Sequence, residues 1–302
     1  MKTGPKFKSL ASAESAFKKK LEEEPLAPRT RSFYSETAHA CLMLMERAGL
    51  HTLPHEINAE DLRELLDVFD REKLAVATRK GYLSALKKYL KLTCDTSPFS
   101  SLRYHLPKDV RPCVDWYTLE QARTLLQCDK TPLQSIVIHC ELCLGMRRVE
   151  IIRLRPEDIH DPDAYVDVRG KSSKLRSIPY TKGTREILQM ALARRDEQIR
   201  NAKPQQVPEN LILWSKAGKL HPYSEEGYGL DKMVTEPLTE KLGFRVTNHK
   251  GRRTFGRTLY RAGVPVATIA KILGHDSTEV TLRYIGVDLD DMRSAMQTEL
   301  YA

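Results

Sequence analysis

Several short stretches of this 302-residue chain carry side chains that could do chemistry on an anion. "GMRRVEIIRL" (145–154) sets Arg147 and Arg148 side by side, with Glu150 two positions on and Ile151, Ile152 and Leu154 asking for burial. A long apolar run, "LQSIVIHCELCLG", leads into it. Arginine is almost never fully buried without a partner, so these charges must meet a carboxylate inside the protein or an anion from outside. In "TNHKGRRTFGRTLYRAG", His249 and Arg252 are three apart and share a face of a helix. One such H-x-x-R, among nine histidines in an arginine-rich chain, is weak evidence by itself. "VPVATIAKILGHDSTEVTLRYIG" then offers Pro265 for a first helical turn, Gly274 for its end and His275 just outside it. "DSTE" suggests Asp276 as N-cap with Glu279 three residues on, opening a helix that carries Tyr284. Guanidinium forks fit a carboxylate or a phosphate and stay charged at any working pH. Taken singly, His275 reads as a surface loop residue and Tyr284 as a half-buried aromatic.

These residues need elements to hold them. Residues 31–105 read as helices. "FYSETAHACLMLMERAG" puts Tyr34, Ala38, Cys41, Leu42 and Met45 on one face, with Gly49 as a stop. "NAEDLRELLDVF" opens at an N-cap candidate, Asn58. "ATRKGYLSALKKYLKL" buries Tyr82, Leu83, Leu86, Tyr89 and Leu90, with Arg79, Lys80, Lys87, Lys88 and Lys91 largely on other faces, and the unit resembles a small DNA-binding domain. The run "FKKKLEEE" reads as a solvated helix with Lys–Glu pairs one turn apart. "HLPKDVRPCVDWY", with Pro107 and Pro112, breaks helix and reads as a linker. Thr118 and Gln121 form a capping box opening "LEQARTLLQ". "AYVDV" and "LRSIPY" flank "RGKSSK" as a β-hairpin whose turn carries Lys171 and Lys174, and "NLILW" offers a further strand. Residues 184–200 read as an amphipathic helix, and the chain is helical again from Thr247. The divisions expected are a helical domain at 1–106, a linker at 107–112 and a second domain at 113–302. Residues 215–245, mostly polar with Gly and Pro, give no clear pattern.

Composition narrows the class. With 41% hydrophobic residues the chain can build proper cores. It has no apolar stretch of transmembrane length, and its first residues lack the apolar segment of a signal peptide. Cys41, Cys94, Cys113, Cys128, Cys140 and Cys143 show no disulfide-framework spacing, so a reduced, cytoplasmic protein is expected. Cys140 and Cys143 make a C-x-x-C with no second pair at matching spacing, which favours core packing over a zinc site, and no metal is expected. The net charge of +9 points to a polyanionic partner, and it is spread as +4 up to residue 106 and +5 beyond. That distribution suits a protein gripping nucleic acid with two folded parts.

In combination the motifs resemble the tyrosine recombinase (phage integrase) family. The order is Arg147 with Glu150, a hairpin lysine, H-x-x-R, then L-G-H with a tyrosine nine residues later. The resemblance covers roughly residues 113–300, and the helical first domain fits the family's core-binding domain. It implies a mainly α fold with a small antiparallel β-sheet: an N-terminal helical core-binding (SAM-like) domain and a C-terminal tyrosine recombinase catalytic domain. It further implies that Arg147, Lys171, His249, Arg252 and His275 are the catalytic set, Tyr284 the nucleophile and Glu150 a structural brace. The chain departs from the family pattern inside H-x-x-R, where Lys250-Gly251 replaces the usual Asp-Leu, and at Arg253, where His or Lys is common.

The chemistry of breaking a DNA phosphodiester without metal fits these residue types. The arginines would stabilise the charge accumulating on the non-bridging oxygens. Lys171, with Lys174 as competitor, would protonate the leaving 5′-oxygen. His249 would take or share the phenol proton, His275 would hydrogen-bond the phosphate, and Tyr284 would form a 3′-phosphotyrosine. No cofactor is needed. Arg147 should point into a cleft, with Arg148 on another face in a backbone contact or surface role. Arg79, Lys80, Lys87, Lys88, Lys174 and Arg253 are the expected DNA contacts. The partner implied is double-stranded DNA with a specific recombination site, bound by a homotetramer on two sites, without membrane and associated with the nucleoid. The stretch "VDLDDMRSAMQTEL" would form a helix docking in trans, with Leu289, Met292, Ala295, Met296 and Leu300 as its apolar stripe. With no arm-binding extension before residue 31, the length resembles a compact Xer-type recombinase or a simple integrase. The alternative is a non-catalytic DNA-binding accessory factor derived from such an enzyme.

Overall fold

Asn58 illustrates how local chemistry fixes the first part of the chain. In the computed structural model its side chain accepts from the backbone N–H of Glu60 (2.8 Å) and Asp61 (3.3 Å), and Asp61 returns a bond from the N–H of Asn58 (2.8 Å). This reciprocal cap opens the helix that begins at Ala59. The structure describes residues 6–94, 98–101, 104, 106, 115–161, 163–170, 174–286 and 291. The expected linker, Lys171, and the apolar stripe from Leu289 to Leu300 fall outside these residues. The chain divides into two compact units, Met1–Arg111 and Pro112–Ala302.

The first unit holds α1 (Leu10–Glu23), α2 (Pro28–Arg47), α3 (Ala59–Arg71) and α4 (Val76–Thr93). Leu42 and Met45 of α2, Leu62, Leu65 and Phe69 of α3, and Leu86, Tyr89 and Leu90 of α4 are fully buried together. Helix α1 departs from the solvated helix expected of "FKKKLEEE". Its Ala13, Phe17 and Leu21, four residues apart, form a buried stripe, and Phe17 meets Tyr89 edge-on at 5.3 Å. The lysines and glutamates occupy its remaining circumference, so the charge run conceals an amphipathic helix.

The second unit opens with α5 (Leu119–Gln127), capped reciprocally by Thr118 and Gln121, and α6 (Pro132–Cys143), capped the same way by Thr131 and Gln134. Helix α6 is buried along most of its length, as its apolar run requires. A short α7 (Arg148–Arg153) leads to an antiparallel sheet of β1 (Ile159–His160), β2 (Tyr165–Arg169) and β3 (Leu175–Pro179). The β2–β3 register pairs Val168 with Arg176 and Val166 with Ile178, which puts Arg176 and Ile178 on the inward face. After α8 (Lys182–Arg200), the apolar "NLILW" contributes only its end to a strand. That strand, β4 (Leu213–Lys216), pairs with β5 (Lys219–Pro222) as a separate two-stranded sheet. Two short helices, α9 (Gly229–Met233) and α10 (Thr235–Leu242), fill the stretch that sequence pattern left blank.

Three helices end the described chain: α11 (Asn248–Arg261), α12 (Val266–Leu273) and α13 (Thr278–Ile285). The cap of α13 differs from expectation. Ser277, in extended conformation, accepts from the N–H of Val280 (3.3 Å), while the carboxylate of Asp276 turns to Lys174 (2.5 Å). The acid pairs with an ammonium, and the neighbouring hydroxyl provides the cap. Among the described residues no helix is long and apolar enough to cross a membrane.

Candidate active site

Arg147 stands at the N-cap of α7, outside the helix, because Gly145 two residues earlier turns the chain with φ +60°. A side chain at that glycine would strike the ring of Phe255, the nearest atom being only 2.4 Å from a Cβ built there, so both conformation and space demand glycine. The turn delivers Arg147 to Glu150, whose carboxylate accepts from the Arg147 N–H and from its Nη1, each at 2.8 Å. Arg176 forks onto the same carboxylate from β3 (2.9 and 2.7 Å), and Nη1 of Arg252 reaches it at 3.5 Å. One acid thus gathers three guanidiniums from three elements. Burial alone would push its carboxyl upward. The hydrogen bonds and charge of Arg176, the charge of Arg252 and the Arg147 N–H prevail and hold it at about 2.

The main chain supplies the other acceptors. Arg252, 1% exposed, donates to the carbonyls of Gly145 and Leu273. Arg147 reaches Leu273 O at 3.5 Å, and Nε of Arg176 donates to Ile272 O at 2.8 Å. These are end carbonyls of α12, which lack partners within their own helix. Burial lowers the Arg252 guanidinium, helped by Arg147, to about 10, which leaves it charged at neutral pH. With three cations on one carboxylate, the cluster holds an excess of two positive charges. Arg147 is 37% exposed and is the member most open to a ligand.

His275 follows α12 directly. Its Nδ1 lies 2.8 Å from Thr281 Oγ1, which itself donates to Ser277 O (3.3 Å), so Nδ1 carries the ring proton in this network. Its Nε2 is then an acceptor, facing Nη2 of Arg252 at 3.3 Å. Burial, reinforced by Arg252, Arg147 and Arg176, lowers the imidazole to about 4 and keeps it neutral. Tyr284 packs edge-on against the His275 ring, centroids 5.1 Å apart. Its hydroxyl faces the backbone carbonyl of His249 at 3.5 Å, whereas the His249 side chain is exposed. Burial raises the Tyr284 phenol, and Arg252, Arg253 and Arg147 oppose the rise without cancelling it.

Arg147, Glu150, Arg252, His275 and Tyr284 are therefore brought together, with the backbone of His249 at their edge. Sequence reasoning missed Arg176 and Thr281. The available signal for Arg176 was its alternation with Ile178, which places an arginine on a buried strand face. Arg148 was expected in a backbone contact or a surface role. It is half-buried and donates to main-chain carbonyls of the protein itself, Gly227 O (2.8 Å) and Glu225 O (2.5 Å). Of the expected DNA contacts, Lys80 is exposed. Lys87 lies over the rings of Phe99 and Tyr104 at 4.9 and 5.4 Å. Arg79 is tied to Leu74 O and Asp70, Lys88 to Glu24 and Lys174 to Asp276. Cys140 is buried and Cys143 half-buried, and among the described residues no group of three His, Cys, Asp or Glu could hold a metal.

Comparison with known proteins shows the family. The profile of the Phage integrase family matches residues 116–290. A putative integrase/recombinase y4rC of Sinorhizobium fredii is 27% identical over 94% of this chain and 89% of its own length. Tyrosine recombinase XerC of Myxococcus xanthus is 33% identical, over 49% of this chain and 48% of its own length. Among solved structures, the Tn1549 transposon integrase in complex with transposon right end DNA superposes with a TM-score of 0.68 at 19% identity, covering 96% of this chain and 99% of that one. A lambda integrase dimer bound to a core site gives 0.68 at 16%, covering 93% and 96%. The two-part, mostly helical fold with small antiparallel sheets is theirs. With the family profile matching over half of its length, the chain belongs to the phage integrase family of tyrosine recombinases.

Proposed function

We propose that this protein is a site-specific DNA recombinase that cuts and rejoins strands through a 3′-phosphotyrosine. The observation carrying the reading is the cationic cluster of Arg147, Arg176 and Arg252 on Glu150, with the Tyr284 ring 5.9 Å from the Arg252 guanidinium carbon. A phosphodiester seated on Arg147 and Arg252 presents its non-bridging oxygens to forked donors. The Tyr284 oxygen attacks phosphorus, the bond to the 5′-oxygen breaks, and the phenol proton passes to His249. Lys171 protonates the departing 5′-oxygen. His275 donates to the phosphate once its ring proton moves from Nδ1 to Nε2. The reverse attack by a 5′-hydroxyl rejoins the strand, so the bond energy is conserved and no cofactor takes part.

In this reading the helical first unit grips the duplex backbone through residues such as Lys80 and Lys87. The active species is a homotetramer on paired sites, with the C-terminal stretch docking in trans, at work on cytoplasmic, nucleoid-borne DNA. The relatives' names support both Xer-type recombination and integration or excision of a mobile element.

The deciding experiment uses a nicked suicide duplex and Tyr284→Phe, which removes only the attacking oxygen. Wild-type protein should give a covalent protein–DNA band on denaturing gels, and the variant should bind the duplex without forming it. A band from Tyr284→Phe assigns the attack to another residue. No band from wild-type protein on its own site supports a non-catalytic accessory role.

A further inference from the structure

Arg252 and Arg253 are neighbours on α11 with different environments. Arg252 is committed to the Gly145 and Leu273 carbonyls, His275 and Glu150. Arg253 is half-buried, and its Nε is buried with no hydrogen-bond partner among the described residues. Its guanidinium carbon lies 5.4 Å from the centroid of the Tyr284 ring, closer than that of Arg252 at 5.9 Å. A cation within about 6 Å of an aromatic face is attracted by the ring's quadrupole, and more so where water is excluded. The attraction must grow when the phenol becomes a phenolate, since the ring then carries net negative charge.

We propose that Arg253 is a positioning residue for the nucleophile: its guanidinium braces the Tyr284 ring and favours the phenolate as the hydroxyl proton leaves. This separates its task from that of Arg252, whose donors are aimed at Leu273, Gly145, His275 and Glu150. The inference rests on Tyr284 being the attacking residue. The groups facing Tyr284 are Arg252, Arg253 and the His249 carbonyl from α11, Arg147 from the start of α7, and His275 from the end of α12. On α13 itself, Glu279 and Arg283 pair with each other at 3.3 Å and are exposed. Of the cations named, Arg253 is the one with no carboxylate or carbonyl partner among the described contacts.

The test measures the rate of covalent-adduct formation by the full-length protein on the nicked duplex at saturating DNA, across pH 6–10. Arg253→Gln should bind the duplex within about threefold of wild type but form adduct about tenfold more slowly at neutral pH, the effect of a desolvated cation–π contact. Its deficit should shrink as pH rises, because hydroxide then removes the proton that the guanidinium no longer disfavours. Arg253→Lys keeps the charge and should recover most of the rate, while Arg253→Met, which keeps volume without charge, should repeat the Gln profile if Gln perturbs folding. A deficit confined to DNA affinity and abolished at saturation would return Arg253 to a phosphate contact and overturn the proposal. A rate profile parallel to wild type at every pH, or Lys no better than Gln, would overturn it as well. Adduct formation by Tyr284→Phe would instead sink the assignment of the nucleophile, so the two failures read differently.

Discussion

Glu141 and Glu150 are nine positions apart in sequence, 0% and 3% exposed, and their carboxyls are shifted in opposite directions. Glu150 sits among three guanidiniums and a backbone N–H and is held at about 2. Glu141, on α6, has no hydrogen-bond partner for either oxygen among the described residues. Burial, with a contribution from Asp231, pushes its carboxyl well above the usual range and so favours the protonated form, where the partners of Glu150 favour the anion. Burial acts on both in the same direction. The partners decide the outcome. The bulk of Glu141 also accounts for a departure in the motif beside it. A Cβ on Gly251 would come within 2.9 Å of Glu141 Cβ and Oε2, so the first turn of α11 lies against Glu141 only because that position of H-x-x-R is glycine.

Replacing each acid by its amide should give the largest contrast. Glu150→Gln leaves Arg252 and Arg176 buried without their counter-charge, at a cost of about 3–5 kcal/mol of unfolding free energy. Adduct formation should fall by about 10² or more, since the donors lose their placement. Glu141→Gln exchanges one neutral polar group for another and should change stability by about 1 kcal/mol or less. Urea unfolding of the two variants checks this, and equal costs would break the comparison.

A smaller effect is expected at Gly251. Gly251→Ala should cost about 1–3 kcal/mol by overpacking against Glu141. In a Glu141→Ala background the same change should become neutral or gain up to about 1 kcal/mol from helix propensity. A double-mutant cycle measures the coupling, and additivity would show that the two positions do not constrain each other.

The smallest effect is the dependence on pH, and its two limbs have opposite signs. Glu141 binds its proton more tightly in the folded chain than in the unfolded one. Its contribution is complete below about pH 4.5 and declines as pH rises through the raised folded value, by at most about 1.4 kcal/mol per unit. Glu150 is depressed, so its contribution is present above about pH 4.5 and is lost as pH falls toward 2. Urea midpoints between pH 5 and 8 should accordingly vary less in Glu141→Gln than in wild type. An unchanged slope there would mean that Glu141 is ionised in the folded protein.

The difference between these acids also marks what sequence reveals. Arg147, Glu150, Arg252, His275 and Tyr284 were legible because their order and spacing along the chain resemble those of a known family, although each motif alone is weak. Arg176 was not, because its role depends on a strand register and on α7 lying beside it, which no short window contains. Thr281 reads as an ordinary helical residue until His275 is placed across from it. In α1 the charges outnumbered the apolar stripe of Ala13, Phe17 and Leu21, and composition outweighed spacing. The blank at 215–245 resolved into a hairpin and two helices of five and eight residues, too short to show a period. Nor does Glu141 announce itself: one glutamate in an apolar run looks like a surface residue until the helix is found buried.

Helix α12 looks like filler, eight mostly apolar residues between two motifs. Yet its last carbonyls receive Arg147, Arg176 and Arg252, so what it gives the site is main chain. Side-chain replacement is blind to such a contribution, because any residue brings the same oxygen. The constraint falls on length instead. Adding or removing one residue turns the end of the helix by about 100° and swings those oxygens away from the guanidiniums. Evolution is thus free to rewrite the letters of this segment within the limits of packing, while its count is held by residues that belong to other parts of the chain.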